Sequence, residues 1–150
     1  MRINIDSGEA LGKAAIYYHD AKFLQHGMKY TEAERVFKLE LTRVKYEEMT
    51  ILLNLGFLKL CMAPRTTSVM VFLGVNGVSY DKTRFTDDDP PGNILNFVSF
   101  YPDEHRLELA CDGKTKINLN IKNINGYFED NQLLGKLHYI SFFGAEIERS

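Results

Sequence analysis

Residues 106–122 read Arg106-Leu107-Glu108-Leu109-Ala110-Cys111-Asp112-Gly113-Lys114-Thr115-Lys116-Ile117-Asn118-Leu119-Asn120-Ile121-Lys122. Polar and apolar residues alternate on both sides of Asp112-Gly113, the period of two that a strand shows when one face is buried. Asp-Gly accepts the positive φ angles of a tight type I′ turn, so the stretch predicts a β-hairpin. Its buried face would hold Leu107, Leu109, Cys111, Ile117, Leu119 and Ile121. Upstream, Asn93 to Tyr101 is rich in Ile, Leu, Phe and Val, and Pro102-Asp103-Glu104-His105 supplies turn chemistry. A three-stranded meander follows, with 105–111 as its middle strand.

The first half repeats the theme. Ala21 to Tyr30 and Arg35 to Arg43 flank Thr31-Glu32-Ala33-Glu34, and the second run sets Phe37, Leu39 and Leu41 against Lys38 and Glu40, which predicts another hairpin. Ile51 to Met62 and Ser68 to Tyr80 flank Ala63-Pro64-Arg65-Thr66-Thr67 and both read as strands, with Gly74 and Gly77 as candidate bulges. Continuous apolar runs of this kind imply burial on both faces. Helix signals are few: Ser7 can cap a short helix with Leu11, Ala14, Ala15 and Tyr18 on one stripe, although Gly8 and Gly12 weaken it. Leu133 to Phe143 fits a helical stripe or an aromatic-rich strand, and the strand is preferred. The expectation is a mainly β, β-rich α+β fold: one domain over 1–150, an antiparallel curved sheet or sandwich with at most one or two short helices.

Composition narrows the class. Apolar residues make up 45% and charged residues 25% of 150, the proportions of a folded globular chain. Lys and Arg number 18 against 20 Asp and Glu, a net charge of −2 without a basic cluster, which argues against nucleic-acid binding. The apolar stretch 51–62 contains Asn54 and Lys59 and falls short of the roughly 20 residues that span a bilayer, so no membrane partner is expected. Asp6 and Glu9 interrupt the place of a secretory signal, and Cys61 and Cys111 show no CxxC spacing. Buried free thiols in a reduced cytoplasm are the expectation.

No residue pattern announces a reaction. His19-Asp20 is the dipeptide with which metal phosphohydrolases chelate cations, but His26, His105 and His138 stand in unrelated contexts and no HxxxH or HxH pair exists. A turn is the plainer reading, with Asp20 accepting backbone N–H bonds where a strand begins. Asp87-Asp88-Asp89 lacks the ligand spacing of an EF-hand, and Pro90-Pro91 stiffens its exit and should hold the loop extended and away from the sheet. A solvated acidic loop, a contact surface for a basic partner and, last, cation binding are its three readings. There is no GxSxG elbow and no phosphate loop, since Gly74-Val75-Asn76-Gly77 lacks the GK[ST] ending. Neither an enzyme nor a bound cofactor is expected.

The order of these features, Tyr18-His19-Asp20-Ala21 opening a strand, Phe72-Leu73-Gly74-Val75 closing one, Asn93-Ile94 starting the next, and an Asp-Gly hairpin running into Ile121, resembles small "HDA" β-rich families. These families include immunity proteins of bacterial polymorphic toxin systems, and the resemblance spans roughly residues 16–125. It implies a non-catalytic protein that binds and neutralises a cognate toxin domain, with His19, Asp20 and Ala21 matching the motif and shaping the fold. The charge of Asp87, Asp88 and Asp89 suits steering toward a basic partner. The competing expectation is a small-molecule-binding or regulatory β module, with Phe97, Phe100 or Tyr101 lining a cleft between sheets.

Overall fold

The computed structural model describes residues 1–81, 85, 87 and 93–142, and the backbone of 145–149. In chain order the strands are β1 (Arg2–Ile5), β2 (Ala21–Phe23), β3 (Met28–Thr31), β4 (Val36–Val44), β5 (Thr50–Asn54), β6 (Leu58–Leu73), β7 (Val75–Asp81), β8 (Asn93–Tyr101), β9 (Arg106–Cys111), β10 (Lys116–Ile121), β11 (Gly126–Phe142) and β12 (Ala145–Arg149). One helix, α1 (Gly8–Tyr18), lies between β1 and β2. The strands form a single antiparallel sheet that curves without closing into a barrel. Its main path runs β1-β11-β6-β4-β2-β8-β9-β10-β7, with β3 beside β4, β5 beside β6 and β12 beside β11.

The meander is present as β8-β9-β10, and all six alternating residues of the hairpin are buried on the core face. The connection differs from the expected two-residue turn. Cys111 N donates to Thr115 O (2.8 Å), and both Gly113 and Lys114 take positive φ, so three residues make the reversal. The first expected hairpin also changes: a 3₁₀ turn at Gln25–Gly27 splits 21–30 into β2 and β3, and both lie along β4. The helix is as expected, with the Ser7 hydroxyl accepting from Ala10 N (3.1 Å) and Leu11, Ala14 and Tyr18 buried. Residues 133–142 are strand, not helix.

Ala63-Pro64-Arg65-Thr66-Thr67, expected to separate two strands, runs inside the 16-residue β6. A residue in an antiparallel strand turns its N–H and C=O toward the same neighbour. The Pro64 carbonyl accepts from Lys45 N (2.8 Å), so the N–H that proline lacks would face the same edge. There the chain leaves the sheet between β4 and β5 for a turn at Tyr46–Glu48, and no ladder bond is lost. The expected strand 68–80 breaks instead at Gly74, whose φ of 73° suits a residue without Cβ.

β6 and β11 run through two regions. Their inner halves pair with β4 and β1 and carry the main core, in which Phe37, Leu39, Met70, Phe72 and Phe128 meet the helix. Their outer halves extend past it and pair with β5 and β12, making a four-stranded arm in the order β5-β6-β11-β12. On the opposite face of the sheet, at the arm's root, Cys61, Ala63 and Tyr139 form a second small core with Val44 and Leu137. The Tyr46 ring meets Tyr139 edge-on at 5.8 Å, and the Tyr139 hydroxyl donates to the Met49 sulfur.

Candidate functional site

The His19-Asp20-Ala21 segment is the joint between helix and sheet. His19 N donates to Ala15 O (2.9 Å) and ends the helix; Asp20 takes a left-handed conformation, φ 62°, and donates its N–H to Leu95 O (2.9 Å). Asp residues tolerate that conformation better than most, which explains the residue type at this corner. The chain then enters β2 with Ala21 wholly buried opposite Leu95, where the core face has room for a methyl group. His19 Nδ1 sits 3.1 Å from the Asp20 carboxylate, and the ring lies edge-on to Phe97 at 5.2 Å. Among the described residues no group of three or more His, Cys, Asp or Glu side chains could hold a metal ion.

The acidic loop is described at Asp87 alone; Asp88 and Asp89 lie outside the described residues. Asp87 was expected to stand away from the sheet. It is instead tied back, its carboxylate accepting from His26 N (2.8 Å) with His26 Nδ1 3.0 Å from the same oxygen. The backbone N–H at the start of a 3₁₀ turn has no partner within the turn, and the Asp87 carboxylate supplies one. The aromatics proposed for a cleft between sheets do not converge, since there is one sheet. Phe97 is exposed beside His19, Phe100 packs on the main core, and the Tyr101 ring lies under Arg106.

A cleft of about 400 Å³ opens on the face of the sheet opposite the main core. His19, Asp20 and Asp112 stand at one part of its lining, Lys22 and Thr42 on neighbouring strands, and Arg65 and Leu137 near the arm's root.

Two features escaped the sequence reading. The first is Arg43. It follows Phe37, Leu39 and Leu41 in the same alternation, so it enters the core face, with its side chain 2% exposed. Its Nε and one Nη donate to the two oxygens of Asp130 (2.9 and 2.8 Å), and both Nη reach Glu47 (3.2 and 2.8 Å). Ser68 Oγ adds a third bond to Asp130 at 2.8 Å. Burial by itself would raise the Asp130 and Glu47 carboxyls, but hydrogen bonds and charge from Arg43 outweigh it and hold both below the usual carboxylate range. The guanidinium is held firmly protonated in spite of its burial. Arginine in phase with three core residues was the available signal.

The second is the arm's surface. The run 51–62 was expected to be buried on both faces. Instead Thr50 to Asn54 is exposed throughout, because β5 lies beyond the body of the sheet where no second layer covers it. Leu53, Leu55, Phe57 and Phe142 are 51, 53, 54 and 40% exposed. No charged residue occurs from Met49 to Leu58.

Comparison with family models, with curated proteins and with solved structures finds no match.

Proposed function

We propose that the protein is a non-catalytic binding protein that holds another protein on its arm, and that the partner is a cognate bacterial toxin domain which it neutralises. The observation that carries the reading is the uncharged, exposed apolar surface from Met49 to Leu58, extended across β6 by Phe142, whose ring meets Phe57 edge-on at 6.0 Å. Contiguous apolar surface of this kind, on elements held rigid by a sheet, is the physical mark of protein contact. The toxin assignment is supported by the order of the Tyr18–Ala21, Phe72–Val75, Asn93–Ile94 and Asp112–Gly113 features, which is similar to that of immunity proteins. A slight net negative charge suits approach to a basic domain.

We place this binding in the reduced cytoplasm, a reading supported by two buried free thiols. Among the described residues no helix is long and apolar enough to cross a membrane.

The test is co-expression with the toxin domain encoded beside this chain. The wild type should restore growth and co-purify with it, whereas Leu53→Asp and Leu55→Asp, both at exposed sites, should keep the fold and lose the complex. Full rescue by both variants would remove the arm from the interface, and failure of the wild type to bind any neighbouring product would end the immunity reading.

A further inference from the structure

The face of the sheet opposite the main core carries two cations that the fold leaves uncompensated. Lys22 stands in β2, in register with Thr42 on β4 and Ile94 on β8, and Arg65 stands on β6 opposite Val44. Both line the cleft of about 400 Å³. Among the described residues neither side chain forms an ion pair or hydrogen bond. The two acids of the same lining take other partners, Asp20 3.1 Å from His19 Nδ1 and Asp112 accepting from Asn96 Nδ2 at 2.6 Å, and neither pairs with Lys22 or Arg65. Arg43, which also borders the cleft, is neutralised by Asp130 and Glu47.

Two cations that no carboxylate pairs leave their donors open to an anion entering the concavity, where the protein walls screen charge less than water does. The rest of the lining is suited to an organic group rather than to a bare ion. Ile94, Val44 and Leu137 present aliphatic surface between and beyond the cations. The volume falls within the roughly 300–1,000 Å³ typical of small-molecule sites.

We propose that this cleft binds a small organic anion. Its carboxylate or phosphate group lies between Lys22 and Arg65, with the Thr42 hydroxyl as a further donor, and its apolar part rests on Ile94, Val44 and Leu137. The site is independent of protein binding by the arm, and loss of either leaves the other standing.

Calorimetric titration of the full chain at low ionic strength with inorganic phosphate, phenyl phosphate and benzoate tests it. Phenyl phosphate or benzoate should bind saturably and more tightly than inorganic phosphate, and whichever of the two binds identifies the head group. Lys22→Gln and Arg65→Gln should each weaken that binding about tenfold, the equivalent of one charge-assisted hydrogen bond. Arg65 is exposed, so its variant keeps the fold and the test does not depend on Lys22 alone. No saturable binding of any probe up to roughly 10 mM, weaker than the millimolar range of simple anion sites, would overturn the proposal. Equal affinity for inorganic phosphate, or binding unchanged in both variants, would overturn it as well.

Discussion

Arg43 and Asp130 meet as a two-pronged ion pair, Nε to Oδ1 at 2.9 Å and Nη2 to Oδ2 at 2.8 Å, at the row where the main core ends and the arm begins. Their strands are not neighbours; β6 lies between them and contributes Ser68 to the same carboxylate. Removing one member leaves buried charge without compensation, so Arg43→Met should destabilise the protein by about 3–5 kcal/mol in urea unfolding. Adding Asp130→Leu and Glu47→Gln should recover a large share of that loss. Simple addition of the three effects would show that the cluster does not act as a unit.

The same cluster sets an acid limit. The carboxyls of Asp130 and Glu47 are held low in the folded protein, so the stability they contribute is complete above the ordinary carboxylate value of about 4 and is lost as pH falls through their depressed folded values. The urea midpoint should therefore drop steeply below about pH 4 in the wild type and less steeply in Arg43→Met. Parallel pH curves for the two proteins would contradict the assignment.

Gly126 opens β11 opposite Phe72, and a Cβ built there would stand 2.1 Å from the Val71 carbonyl oxygen. A backbone atom cannot swing aside as a side chain can, so Gly126→Ala should cost roughly 1–3 kcal/mol, the range of overpacked sites. An unchanged midpoint would mean that β11 enters the sheet in another register.

Leu109 and Leu119 are fully buried on adjacent strands, Leu109 opposite Ile117 and Leu119 opposite Leu107. Either leucine replaced by alanine should cost about 2–5 kcal/mol through lost burial and the cavity left behind. A pair of wild-type-like melting curves would count against the hairpin.

Burial, aided by the charge of Asp112, pushes the Cys111 thiol up to about 12, and Cys61 is buried beneath Tyr139 and Leu137. The thiolate is the reactive form, so neither cysteine should react with a disulfide reagent at pH 8 in the folded protein. Both should react after unfolding in guanidinium. Fast stoichiometric labelling of the native chain would show an open route to one of them.

What was legible in the sequence was local. The alternation around Asp112-Gly113 set the strands and their buried face, because a period of two leaves little choice about which side is covered. Ser7 and its apolar stripe marked the helix for a similar reason. Illegible features depend on distant chain. Pro64 sits in mid-strand because the neighbouring strand is interrupted at its position, which nothing near Pro64 announces. The run 51–55 looks like core because hydrophobicity records a preference for cover without saying whether this chain supplies it. At the candidate cleft, His19 and Asp20 were visible as a motif. Lys22 and Arg65 were not, since their place on one face of the sheet arises from the pairing of β2 with β4 and of β4 with β6.

The pairing of β1 with β11 bears on how the molecule is made. Arg2 lies opposite Glu129 and Ile5 opposite Gly126, so among the described residues β1 has its one ladder partner more than a hundred residues later. Closing so large a loop is entropically slow, and the helix that follows β1 closes over the core beside it. During synthesis the meander and the β3–β4 hairpin can assemble from neighbouring sequence as they emerge, while the first strand waits, unpaired, until the last long strand leaves the ribosome.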